Sequence, residues 1–241
     1  MSKHGKKYLA AAAKIEADRL YAPADAMQLV KETAFTQFDS SVEVHLRLGV
    51  DPRHADQQVR GVVLMPAGLG KTVRVMVFAQ GEAARLAQQT GADHVVNDDE
   101  GFKKIQDGWT DWDMSIAMAD MMGRVGRLGK VLGVRGLMPN PKAGTIAQKA
   151  EDLPRMIGEA KAGRVEFRID KTANIHVVIG KASFSADALM TNFSALMDAV
   201  RKAKPAASKG VYVKRLVVTS TMGPGIKIDP NAALTLQSSA V

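Results

Sequence analysis

The chain reads as a mixed α/β protein in two parts. A discontinuous α+β domain with a half-buried, antiparallel-rich sheet takes residues 1–69 and 159–241, and an inserted Rossmann-like domain, three-layered and parallel, takes residues 70–158. Three observations predict this. "SVEVHLRLGV" and "RVEFRID" alternate apolar with polar residues, as strands with one wet face do. Between Val73 and about Gly158, short apolar runs alternate with helical stretches, the pattern of parallel strands covered by helices. Beyond Gly163 the half-buried style resumes, so both ends of the chain build one domain around the other.

Each element follows in order. After a basic arm, "APADAMQLVKETA" predicts a helix with Pro23 in its first turn and Ala26, Leu29 and Val30 on one side. "SVEVHLRLGV" sets Val42, Val44, Leu46 and Leu48 against Glu43, His45 and Arg47; "DPRHADQQ" is a loop and "VRGVVLMP" a second strand. The insert then runs "VRVMVFA", "GEAARLAQQTGA" with Gly91 as a stop, "HVV", "DDEGFKKIQDG", "DMSIAMA" and one helix over "ADMMGRVGRLGKVLG". "LMPNPKAGT" is an ordered loop, and the helix "EDLPRMIGEAKAG" closes the region. "RVEFRID" passes through "KTAN" into "IHVVIG" as a hairpin. "SADALMTNFSALMDAVRKAK" places Leu189, Phe193, Leu196, Met197 and Val200 at helical spacing behind a Ser185 cap. "VYVKRLVVTS" is the last strand, and the tail "NAALTLQSSAV" has no strong pattern.

Composition narrows the function. The 241 residues include no cysteine, which excludes disulfides, thiolate metal sites and cysteine nucleophiles. The five histidines are scattered without metal-ligand spacing, so no metal and no cofactor is expected. "MSKHGKKYLAAAAKIEADR" begins like a secretory leader, but Lys14, Glu16, Asp18 and Arg19 interrupt its apolar segment, and no run is long enough to span a bilayer. A cytoplasmic protein with no membrane partner is the expectation. A net charge of +8 points to a polyanion, nucleic acid first. The charge is unevenly placed: residues 70–158 hold 12 Lys and Arg against 11 Asp and Glu, leaving 21 against 14 for the remainder. The discontinuous part therefore carries the main polyanion footprint.

Two glycine-rich stretches suggest nucleotide chemistry and fail on spacing. "MPAGLGKTVRVMVF" ends its turn in Gly-Lys-Thr, but Met65 stands where a phosphate-cradling loop needs glycine, and a valine-rich strand follows where that loop needs a helix. "GRVGRLGKVLGVRGLMPNPKAGT" is spaced G-x-x-G-x-x-G, not as a dinucleotide turn. Its glycines read as close packing of a helix on the sheet, with the basic side chains solvated; phosphate contact through those cations is the other reading.

The loop "GLMPNPKAGT" resembles the signature of the universal ribosomal protein L-one family, whose members build the mobile side stalk of the large ribosomal subunit. "FDSSVEVHLRLGVDPRHADQQVRG", "MPAGLGK", "GRVEFRIDKTANIH", "GKASF" and "TSTMGP" resemble further family motifs in the family's order, from the arm to about Pro230. The resemblance implies an RNA-binding domain made from both chain ends with a Rossmann-like insert, and a structural constituent of the cytoplasmic ribosome rather than an enzyme. It implies as partners the stalk region of large-subunit ribosomal RNA, the large subunit, exit-site deacylated tRNA and the protein's own messenger, with no small-molecule substrate. A nucleotide-using enzyme and a non-specific basic coat are the competing readings.

Carried over by resemblance, the RNA surface falls on Gln37, Phe38, Asp39, Ser41 and Glu43, on Arg164, Glu166, Arg168, Lys171 and Thr172, and on Thr219, Thr221, Met222 and Gly223. The basic Lys3, Lys6 and Lys7 add phosphate contacts, and Arg124, Arg127, Lys130, Arg135 and Lys142 form a second surface for tRNA. Hydroxyls can donate to and accept from a ribose 2′-OH, glycine admits close backbone approach, Phe and Met offer apolar surface to sugars and bases, and Arg and Lys meet phosphates. Gln37 stands where relatives commonly carry a basic residue, and Met138 where leucine is common. With few aromatics, recognition is expected to use shape and 2′-OH groups, and Thr221→Ala is expected to weaken RNA binding with little loss of folding stability.

Overall fold

The structure, a computed structural model, describes residues 4–236. The chain runs through α1 (Lys6–Ala12), α2 (Pro23–Glu32), β1 (Ser41–Leu48) and β2 (Arg60–Leu64). It continues as β3 (Val75–Phe78), α3 (Gly81–Gln89), β4 (His94–Val96), α4 (Asp99–Gln106), β5 (Met114–Met118), α5 (Met122–Val125), α6 (Gly129–Val134), β6 (Ile146–Ala147) and α7 (Leu153–Lys161). It ends as β7 (Arg164–Arg168), β8 (Asn174–Lys181), α8 (Ala186–Lys202), β9 (Val213–Ser220), β10 (Ile226–Lys227) and α9 (Pro230–Leu234). Two compact units result, one of residues up to Gly70 with those from Val165 onward, the other Lys71–Arg164.

In the first unit, a four-stranded antiparallel sheet has the order β10-β9-β1-β8. Alternation decides its faces: Val42, Val44, Leu46 and Leu48 point inward with Ile175, Val177, Ile179, Leu216 and Val218, all buried. Helices α2 and α8 lie on that face, joining through Met27, Val30, Leu189, Phe193, Leu196 and Met197. Pro23 opens α2 at its first turn, and the Ser185 hydroxyl accepts from the Ala188 amide at 3.1 Å to cap α8. Burying a Phe193- or Leu196-sized side chain contributes about 1.5–3 kcal/mol, so this apolar stripe is what anchors α8.

Two sequence expectations for this unit are revised. The segments flanking "KTAN" do not pair as a hairpin: β7 pairs with β2 in a separate two-stranded sheet, while β8 joins β1. The backbone of the 59–64 segment supplies the partner instead, with the Ile169 amide donating to the Val59 carbonyl at 3.1 Å. The tail is not patternless either, since α9 starts at Pro230, is capped by the Asp229 carboxylate on the Asn231 amide at 2.9 Å, and buries Ala233 in the core.

The second unit holds a parallel sheet ordered β4-β3-β5-β6. All four residues of β3 are buried, which requires cover on both faces and explains why the run "VMVF" does not alternate. Asp98 caps α4 through the Gly101 amide at 2.9 Å. Helix α7 continues to Lys161 and seats Leu153, Met156, Ile157 and Ala160 in the second core, so a division between residues 158 and 159 would cut it. The single helix expected over "ADMMGRVGRLGKVLG" is broken into α5 and α6 by tighter turns at Ala119–Met121 and Gly126–Leu128. Its glycines do not serve packing. A Cβ placed on Gly123, Gly126, Gly129 or Gly133 would meet nothing within 4 Å, which overturns the close-packing explanation.

Candidate nucleic-acid interface

The start of β1 and the end of β9 are joined by Thr221, whose backbone amide donates to the Ser41 carbonyl at 2.9 Å and whose side chain adds two further bonds. The Ser41 amide donates to the Thr221 hydroxyl at 3.0 Å, and that hydroxyl donates to the Ser41 carbonyl at 3.2 Å. Antiparallel pairing brings the segments together, with Val42 opposite Ser220 and Glu43 opposite Thr219. From this junction two turns project. One carries Phe38, 58% exposed, and the other Met222, 71% exposed. Large apolar side chains left in water on adjoining turns are a binding signature rather than a folding one.

Both turns are held by their surroundings. The Asp39 carboxylate accepts from the Ser183 amide at 3.1 Å and the Ser183 hydroxyl at 2.8 Å, and Lys181 reaches the Ser41 hydroxyl at 2.9 Å. Gln37 is exposed beside them. Met222 sits at φ +66°, a conformation that strains any side chain beyond glycine. Gly223 follows it, donating to the Ser220 carbonyl at 2.7 Å, and a Cβ there would fall 2.2 Å from the Ser220 hydroxyl. Thr219 donates to the Gly223 carbonyl at 3.1 Å. The turn presenting Met222 is thus rigid before any ligand arrives. Thr221 is part of that scaffold, because its hydroxyl ties two segments together, so the expectation that Thr221→Ala costs little folding stability becomes one to test.

The remaining residues singled out by sequence divide. Lys6 and Lys7 are exposed in α1, whereas Lys3 lies outside the described residues. Tyr8 in α1 stacks on His4 at 4.1 Å and meets Phe35 edge-on at 6.5 Å, which sets this basic helix beside the segment leading to Phe38. Arg168, Lys171 and Thr172 are exposed, and Thr172 donates to the Asp170 carboxylate at 2.8 Å. That carboxylate also accepts from the Thr172 and Asn174 amides at 2.8 Å, and these donors hold its pKa down at about 2. Glu166 pairs with Arg60. Arg164 is spent internally, on Glu159 at 2.8 Å and the Ala143 carbonyl at 2.6 Å. In the second unit, Arg124 pairs with Asp99 and covers the Phe102 ring at 4.3 Å, and Arg135 bonds Thr110, while Arg127, Lys130 and Lys142 are exposed.

The Gly-Leu-Gly-Lys turn has a structural explanation. Buried Asn192 of α8 accepts from the Ala67 amide at 2.9 Å and donates to the carbonyls of Gly68 and Ile179 at 2.8 and 2.7 Å. Gly70 at φ +67° has the Phe184 ring 2.7 Å from where its Cβ would stand. Lys71 pairs with Asp113 at 2.5 Å instead of reaching for a phosphate.

The outward face of the sheet is what motif reading passed over. Beyond Ser41 and Glu43 it carries His45 and Arg47 from β1, facing His176 and Asn174 in β8 and Val217 and Arg215 in β9. The Nδ1 atoms of His45 and His176 lie 2.8 Å apart, so one ring donates and the other accepts. Partial burial, then the charge of His176, lower the His45 pKa from its ordinary value, against the opposing pull of Glu43. Strict alternation in "VEVHLR" marked these positions as solvent-facing, but only strand pairing shows which of them meet.

A mixed α/β protein with an antiparallel sheet from its chain ends and a parallel sheet between them, presenting a polar sheet face and exposed apolar turns, is of a binding and structural class. It belongs to the Ribosomal protein L1p/L10e family, whose profile matches residues 30–224, and it is accordingly a ribosomal protein with a structural role and not an enzyme. The chain is similar to proteins named large ribosomal subunit protein uL1. Those of two strains of Chloroflexus aurantiacus are 57% identical over 238 residues, covering 99% of this chain and 100% of the relative. That of Chloroflexus aggregans is 56% identical over 237 residues, covering 98% and 100%.

Proposed function

We propose that the protein is a constituent of the large subunit of the cytoplasmic ribosome and that its split unit grips the folded stalk region of large-subunit ribosomal RNA. The observation carrying this reading is the Ser41–Thr221 junction, which sets exposed Phe38 and Met222 on two braced turns of a cationic unit. Phe38 and the strained Met222 turn meet sugars and bases; Ser41, Thr219 and Gly223 offer hydroxyl and backbone groups to 2′-OH; Lys6, Lys7, Arg168 and Lys171 meet phosphates. Gln37, Asp39, Glu43, Glu166 and Thr172 belong to the same reading, chiefly as groups that shape the surface, while Lys3 lies outside the described residues. Relatives named as large-subunit proteins along their whole length support the assignment.

In the same reading, exposed Arg127, Lys130 and Lys142, with Arg124 and Arg135, touch exit-site tRNA as it leaves. The split unit also represses its own messenger by binding a mimic of the ribosomal site. Equilibrium binding of the full chain to a stalk RNA fragment, against a scrambled RNA of equal length, tests the core of this. Preference by orders of magnitude at physiological salt is expected, and equal affinity for both RNAs would leave only a non-specific basic coat.

A further inference from the structure

Strand β9 sets two cations, Lys214 and Arg215, beside Arg47 of β1 without compensation. Arg215 stands directly opposite Arg47, and the register then skips from Arg47–Arg215 to Leu48–Val213, so Lys214 is the extra residue of a bulge. All three are exposed, and none has an ion pair or side-chain hydrogen bond among the described residues. Like charges directly opposite on a sheet destabilise it. Nothing in the fold requires them, because the inward positions Leu46, Leu48, Val213 and Leu216 do the packing.

Beside these cations lies a groove of about 380 Å³ with a mostly apolar lining that includes Leu20, Val217 and Pro230, together with Lys214, Arg215 and Lys227. Leu20 is 57% exposed there. Lys227 is held at the groove by the Ala17 carbonyl at 2.7 Å, with Asp18 3.9 Å away. Apolar surface edged by cations matches a polynucleotide backbone, in which riboses alternate with phosphates. An acidic peptide would offer carboxylates, but the excess of basic charge in the split unit already selects a polyanion with a charge at every repeat.

We infer that the RNA footprint, which in the reading above already reaches Lys171 and Thr172 beside Asn174 at the Arg47 end of the sheet, continues across that end to β9, where Arg47, Lys214 and Arg215 take backbone phosphates and the groove takes the intervening riboses. Six residues of strand separate Ser41 from Arg47, roughly 20 Å at about 3.3 Å per residue, or several nucleotides. The inference rests on the RNA-binding reading above and adds Arg47, Lys214 and Arg215, none of which the resemblance assigned to the RNA surface.

The test is a double variant, Arg47→Gln with Arg215→Gln, in the full chain, with the stalk RNA fragment titrated across salt concentrations. The expected result is about 10- to 100-fold weaker binding at low salt, a salt slope shallower by about two, and a melting temperature equal to or above that of the parent at low ionic strength. A folded double variant with parental affinity and slope overturns the inference. If Phe38→Ala still loses binding in that case, the RNA-binding reading survives without it. Parental RNA affinity with lost binding to polyglutamate would instead assign the patch to an acidic protein. A parent chain with no preference for the stalk RNA removes both.

Discussion

Thr221 and Ser41 exchange hydrogen bonds in both directions through one hydroxyl, although 180 residues of chain separate them. The Thr221 amide forms one rung on the Ser41 carbonyl at 2.9 Å, and the hydroxyl takes the Ser41 amide in place of the other, beneath the exposed Met222 turn. A residue read as an RNA contact is therefore also a staple. Thr221→Ala is expected to lose about 1–2 kcal/mol of folding stability in urea titration, and Thr221→Ser to retain most of it. Equal stability of parent and Ala variant would show that the staple contributes nothing. RNA affinities are best compared between Thr221→Ser and Thr221→Val, since valine keeps the shape and removes the hydroxyl.

Asn192 is the second staple, and it explains a motif that looks like nucleotide chemistry. Asn192→Leu leaves the Ala67 amide and the Gly68 and Ile179 carbonyls without their partner, so a loss of about 2–4 kcal/mol is expected in chemical denaturation. Millimolar ATP should not raise the melting temperature of the parent, because Lys71 is committed to Asp113.

The glycines separate into two kinds with opposite consequences. Gly70→Ala and Gly223→Ala each drive a Cβ into a neighbour, the Phe184 ring or the Ser220 hydroxyl, and both should destabilise. Gly126→Ala and Gly133→Ala point into open space from helical backbone and should stabilise by about 0.5–1 kcal/mol each. Thermal melts of the four variants read the sign directly. Destabilisation by Gly133→Ala would mean that its surroundings are more crowded than described.

Asp170 makes stability depend on acid. Its folded pKa of about 2 lies below the ordinary value of 3.8, first because the Asn174 amide binds the ionised form and then through the Thr172 hydroxyl and amide, with partial burial opposing. A depressed carboxylate contributes stability above the unfolded pKa and loses it as pH falls through the folded one. The melting-temperature gap between the parent and Asp170→Ala should therefore be constant above about pH 5 and shrink between about pH 4 and 2. A gap independent of pH across that window would rule out the carboxylate as its source.

How much was legible beforehand differs by element. The helix with Ser185 as its cap, the strand with Val42, Val44, Leu46 and Leu48 inward, and the buried run at Val75–Phe78 were all readable. A core-facing residue announces itself by local period and apolar character. The exposed turns were reached through motif resemblance, because Phe38 and Met222 look locally like ordinary core residues. Arg47 opposite Arg215, His45 against His176 and the bulge at Lys214 carry no local signal, since each depends on the register between distant strands. The failed hairpin after β7 is of the same kind: the turn chemistry around Asp170 was visible, but the partner strand was not.

By itself, the sequence determined the two-part α/β plan, the excess of cations in the split part and the family, because burial period, charge and motif are local properties of the chain. Tertiary structure alone decided that the Thr221 hydroxyl is a clasp, that the Gly-Leu-Gly turn hangs on Asn192, and that three cations crowd one bulge. Those facts depend on which backbone groups are left over when distant segments pair, and hydrogen bonds between leftovers are chosen by the whole packed core rather than by any stretch within it.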